Sequence, residues 1–164
     1  MDSKYIPMDQ YDGAWQFVDP DDDTSVLPDD ISAILPLTKD YSAELWTHYI
    51  SSKTYHLMLM DRSEWPNSEP RITIEHSLWP YQNAEEKLEL AEKLTPHVPY
   101  ATNETIYFFW TKEQAVETTW TVFLRNWSRF MFDDEGCILI APQHLTSIIF
   151  CLVRVIILER TLID

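Results

Sequence analysis

Glycine is nearly absent: Gly13 and Gly136 are the two glycines in a chain of 164 residues. A P-loop, a dinucleotide-binding GxGxxG turn and a GxSxG nucleophile elbow each need two or more glycines at set spacings, so all three are excluded. Cysteine is equally scarce, and Cys137 and Cys151 form no CxxC pair. Such usage points to a reducing compartment, with both thiols buried as small hydrophobes. Basic residues are also few, 12 Lys and Arg against 27 Asp and Glu, for a formal charge of −15. No five-residue window holds three Lys or Arg. Counterion release on a phosphate backbone needs a concentrated basic patch, so nucleic acid is excluded as a direct partner, and an anionic membrane surface with it. Long hydrophobic runs are missing too. The most apolar segment, Ile148 to Leu158, is broken by Arg154, and it is about half the roughly 20 residues of a spanning helix. Met1-Asp2-Ser3-Lys4-Tyr5 opens the chain without an apolar run, so no secretory signal is expected and the expected location is cytoplasmic.

What is present is apolar surface. Hydrophobic residues make up 45% of the chain and aromatics 13%, enough to offset the entropy of ordering a backbone and to exclude global disorder. Domains commonly run to roughly 100–150 residues, so one domain over residues 1–164 is expected. The tail 151–164 reads as an apolar C-terminal extension, to be covered by the domain or by a second subunit; in the latter case it mediates homo-oligomerisation.

Periodicity and punctuation predict an α+β fold with a small mixed or antiparallel sheet and packed helices. Trp15 and Phe17 alternate with Gln16 as in a short strand, and Pro28-Asp29-Asp30 suits a helix start that continues to about Leu35. Thr38 can cap a second helix ending near Ser51-Ser52. Leu57–Met60 and Arg71–Glu75 read as strands in a proline-bounded irregular region. Asn83 and Glu86 make a capping box ahead of a stripe of Ala84, Leu88, Ala91 and Leu94. Thr105–Trp110 has the uncharged aromatic character of a central strand. From Lys112 to Phe130, Val116, Trp120, Phe123, Leu124 and Trp127 recur at spacings of three and four, which predicts one long helix, against the β-prone run Thr118–Val122. Asp133–Gly136 reads as a turn and Cys137–Ile140 as a strand.

The pattern nominates no catalytic residue, metal ligand or cofactor. The five histidines form no HExxH, and Glu44 and His48, one helical turn apart, lack a third ligand and read as a solvent-facing pair. Asp21-Asp22-Asp23 and Asp133-Asp134-Glu135 lack the alternate ligand spacing of a calcium loop. The candidate binding residues are Trp65 and Trp79, each followed by proline in irregular chain, with Asp21, Asp22, Asp23, Glu85, Glu89 and Glu92 as acidic surface. Large rigid rings anchor protein interfaces and like-signed charge steers an oppositely charged partner. A non-enzymatic domain that binds a protein, a basic one, is therefore the leading expectation. The alternatives are an enzyme with a site assembled from distant side chains and a self-associating structural protein.

The run Val116-Glu117-Thr118-Thr119-Trp120 through Phe123, Trp127, Phe130 and Phe132 to Asp133-Asp134-Glu135-Gly136 and Ile138-Leu139-Ile140 resembles an uncharacterised family of small bacterial proteins, chiefly from marine gammaproteobacteria. Tyr5-Ile6-Pro7-Met8-Asp9 with Trp15 and Phe17, and Ala43-Glu44-Leu45-Trp46, look like the same family. The resemblance extends from Met1 to about Phe150. It implies a bacterial cytosolic setting and no catalytic residue. A looser similarity, to small, acidic, Trp-rich immunity proteins of toxin systems, is by analogy and implies an inhibitor of that kind.

Overall fold

The fold is built on a sheet of β1 (Leu35–Pro36), β2 (Ile72–Glu75), β3 (Thr105–Thr111), β4 (Gln114–Thr119), β5 (Cys137–Ile140), β6 (Thr146–Cys151) and β7 (Arg154–Glu159). Its order is β1-β4-β3-β5-β6-β7-β2, and every neighbouring pair is antiparallel. This computed structural model describes residues 3–18, 26–79, 83–132 and 136–162. The domain is α+β, as the sequence predicts, and its sheet is antiparallel.

Strand alternation feeds two cores. Phe108, Leu139, Ile148, Phe150, Val155 and Ile157 face one layer, with α3 (Ala84–Leu94) and α4 (Trp120–Asn126) packed over them. Phe109, Ile138, Ile140, Ile149 and Leu158 face the other, under α2 (Lys39–Tyr49) and the irregular chain that follows it. Central strands buried on both faces lose the polar alternation of a solvated sheet.

Local signals start several elements where expected. Thr38 Oγ1 accepts the Tyr41 amide at the head of α2. The capping box of α3 is complete, with Asn83 accepting the Glu86 amide and Glu86 accepting the Asn83 amide. Of the predicted stripe Leu94 is buried and Ala91 half-buried, but Ala84 and Leu88 are exposed, and Leu90 takes their place on the buried face. The Trp127 indole N–H donates to the Lys87 carbonyl at 2.8 Å and ties α3 to the chain that follows α4.

The long helix predicted over Lys112–Phe130 is three elements: β4, then α4, then a 3-10 turn at Trp127–Phe130. Val116 belongs to a strand paired with β3, opposite Phe108. An unpaired edge beside the aromatic strand draws the β-branched Val116, Thr118 and Thr119 into the sheet. The helix starts afresh where Thr119 Oγ1 accepts the Val122 amide. Other corrections have similar causes. Helix α1 (Pro28–Ser32) stops short because Leu35 and Pro36 pair with Glu117 and Val116. Ala14–Gln16 and Leu57–Leu59 are 3-10 turns and not strands. In the second, the His56 ring accepts the Met58 amide at 3.0 Å. The predicted turn residues Asp133–Glu135 lie outside the described residues, but Gly136 has φ +102°, and a Cβ there would stand 2.6 Å from Leu57 Cδ2.

The tail read as an extension is largely β7, hydrogen-bonded to β6 on one side and β2 on the other. Val155, Ile157 and Leu158 are buried within the domain. Pairing on both sides leaves β7 no free edge for a second subunit, so strand addition to this tail is not supported, although Leu152, Val153 and Leu162 are exposed.

Candidate functional site

The two Trp-Pro pairs have different fates. Trp65 is 5% exposed, and its indole donates to the Tyr49 carbonyl at 3.1 Å. It ties the irregular chain to the end of α2 and offers no face to a partner. Trp79 is 58% exposed. The backbone leading to it continues β2 alongside the β6–β7 turn, with the His76 amide donating to Val153 and the Leu78 amide to Leu152. Leu152 and Val153 form the tip of that turn, and each is more than half exposed. Trp79 therefore leaves the sheet beside an apolar tip.

Helix α3 follows, and Glu85, Glu89 and Glu92 are all exposed with Leu88 among them. Lys93 fixes the helix against the exit of β2, its ammonium lying 3.4 Å from His76 Nδ1 and 3.0 Å from Glu89. The hydrogen bond from Lys93 holds the Glu89 carboxyl below the usual carboxylate range. The His76 ring meets Trp127 edge-on at 6.1 Å between centroids. These contacts join the acidic helix to the aromatic core beneath it. The other candidates, Asp21, Asp22 and Asp23, lie outside the described residues.

Sequence reasoning missed a polar cluster at the opposite end of the sheet. His144 Nε2 stands 2.6 Å from Glu104 Oε1, with side-chain exposures of 28% and 15%. Tyr100 packs 5.6 Å from His144 and donates its hydroxyl to the Thr146 carbonyl at 2.5 Å. Burial, followed by the charge of Glu104, raises the Tyr100 hydroxyl well above the ordinary phenol range. Arg160 completes the group: it is buried, its Nη2 donates to the Pro142 carbonyl at 3.4 Å, and its guanidinium lies 4.9 Å over the Tyr49 ring. Burial lowers its pKa from the usual guanidinium value. The cluster clasps the loop between β5 and β6. Forty positions separate Glu104 from His144, so no local spacing could have revealed the pair.

Glu44 and His48 both lie on the exposed face of α2. Among the described residues, no group of three or more His, Cys, Asp or Glu is placed to hold a metal ion. No helix among them is long and apolar enough to cross a membrane.

The chain belongs to a family described as a protein of unknown function (DUF2947), whose model matches residues 5–155. No curated protein and no solved structure matches it.

Proposed function

We propose that this member of a family of unknown function is a protein-binding domain that docks a basic partner on the outer face of α3 and the neighbouring tip of the β6–β7 turn. The observation that carries the reading is the exposure of Trp79 beside Leu152 and Val153, with α3, which bears the exposed Glu85, Glu89 and Glu92, tied to the same strand exit through Lys93 and His76. An exposed large aromatic within an apolar patch supplies the anchor, and the surrounding carboxylates supply steering. The chain's charge of −15 acts in the same sense over longer range. An inhibitor of the immunity type, working in a bacterial cytoplasm, fits this chemistry: a small acidic domain that covers a basic functional surface. The test is comparative capture from the native host by the intact chain, by Trp79→Ala and by the triple change Glu85→Gln, Glu89→Gln, Glu92→Gln, each at low and high salt. The reading expects a basic protein held by the intact chain at low salt, weakened by high salt, and reduced in both variants. Indistinguishable captured sets for all three proteins would reject it.

A second reading, an enzyme whose site is assembled from distant side chains, is favoured by one observation, the close His144–Glu104 pair. A carboxylate orienting an imidazole is half of a general-base arrangement. If that reading holds, His144→Gln abolishes an activity found by substrate screening while leaving partner capture intact.

A further inference from the structure

We propose that the cleft between α2 and the β3–β4 turn binds a small ligand bearing clustered negative charge, as a phosphate ester or a polycarboxylate does. The cleft has a volume of about 580 Å³ and is lined by Lys39, Tyr55, Thr111, Lys112, Glu113 and Gln114. That volume falls within the ordinary range for small-molecule sites, roughly 300–1,000 Å³.

The charge placement goes against the rest of the molecule. In a chain with 27 acids and 12 bases, two lysines from different parts of the sequence line one cavity. Neither Lys39 nor Lys112 forms an ion pair among the described residues. Among the described residues, Glu113 is the one carboxylate that lines the cleft with them. Two ammonium groups lining one cleft repel each other, and a doubly charged anion bound there is attracted to both. Lysine is a common partner for such groups, acting as a point charge on a flexible stem.

The cleft is also built to hold its shape. Lys112 is fixed from both sides: its amide donates to the Tyr55 carbonyl at 2.8 Å, and its carbonyl accepts from the buried Ser42 hydroxyl at 2.8 Å. Such fixing lowers the ordering cost of binding. Tyr55 is 62% exposed and adds a flat face for a ring or chain attached to the anion. Thr111 and Gln114 supply uncharged donors. Because a net charge of −15 repels free anions, saturable binding of one requires local contacts and not the general field.

Calorimetric titration of the full chain at low ionic strength tests the site, with inorganic pyrophosphate and citrate as separate probes. The proposal expects saturable one-to-one binding of at least one probe; pyrophosphate alone identifies the phosphate class, citrate alone the polycarboxylate class. Lys39→Gln and Lys112→Gln should each weaken that binding about tenfold, the loss of one favourable charge contact at ~1.4 kcal/mol. Arg62→Gln should leave it unchanged, since Arg62 lines a different, smaller cleft. Thermal melts of the variants confirm that they are folded. No saturable binding of either probe at millimolar concentration overturns the proposal. So does equal binding by the intact chain and both lysine variants, or a loss on Arg62→Gln matching theirs.

Discussion

The two faces of the sheet are covered by different means. Over one, rings pack on rings: Phe108 meets Trp110, Phe123, Phe130 and Phe150 at centroid distances of 5.0 to 5.8 Å, and Trp120 stacks on Phe123. Over the other, α2 is joined by the irregular chain 50–68, and that chain is tied by directional bonds. Trp46 donates its indole N–H to the Thr54 carbonyl at 2.7 Å, and Trp65 donates to Tyr49. The first layer holds mainly through volume and shape, with the Trp110 and Trp127 indoles also donating to the Phe130 and Lys87 carbonyls. The second depends more on a few donors meeting carbonyls of a segment whose own regular structure is limited to two 3-10 turns.

Truncation on the ring-packed face should cost most. Trp120 is buried against Tyr100 and Phe123, so Trp120→Ala is expected to destabilise by about 3–5 kcal/mol, read as a lowered midpoint of denaturant unfolding. A midpoint shift near zero would break the contrast between the faces.

A charged tie on the same side comes next. Buried Asp30 of α1 accepts from Arg125 Nη2 at 2.6 Å, from Arg125 Nε at 3.1 Å and from Asn126 at 2.9 Å. The bonds from Arg125 hold its carboxyl below the usual range. A depressed folded pKa stabilises above the unfolded value, about 3.9, and that contribution fades as pH falls through the folded value. Asp30→Asn should cost about 1.5–3 kcal/mol at neutral pH, and melts of the variant below about pH 4 should differ less from those of the intact chain.

On the other face, Trp46→Phe keeps a large ring but removes the donor to Thr54. The expected loss is about 1–3 kcal/mol from an unpaired carbonyl and a smaller ring. It should appear locally, as faster proteolysis within residues 51–68, with amides of β3 still protected from hydrogen exchange. Uniform loosening of both faces would show that the irregular layer has no independent stability.

The smallest effect on stability belongs to Trp79→Ala. Its side chain is largely in solvent, so the melt should move by no more than about 0.5 kcal/mol, while capture of a basic partner falls. A large stability loss would make Trp79 part of the packing and remove it from the binding patch.

These contrasts also explain what was legible beforehand. Helix starts at Thr38 and Asn83 are local chemistry, a side chain meeting an amide three residues on, and could be read directly. So could β2, β5 and all but the last residue of β3, whose composition suits their burial or edge position. The boundary between β4 and α4 could not, because Val116 continues a helical spacing by coincidence and only its partner Phe108 makes it a strand. β1, with two residues, carries almost no pattern of its own. Among the candidate site residues, the sequence could not separate Trp65 from Trp79, since each precedes a proline in irregular chain. The carbonyl of Tyr49 decides the matter, and it lies sixteen positions from Trp65.

The topology has a kinetic corollary. β2 is an edge strand whose ladder partner is β7, so Ile72 waits opposite a place that Ile157 must fill. A chain emerging from the ribosome makes β2 early and can only solvate it, while β3 with β4 and β5 with β6 can pair as soon as each second member appears. Closure over such a sequence separation carries a loop entropy that local hairpins avoid. β2 should therefore dock last during synthesis, and stalled chains ending before Arg154 should expose Ile72 and Ile74 to chaperones.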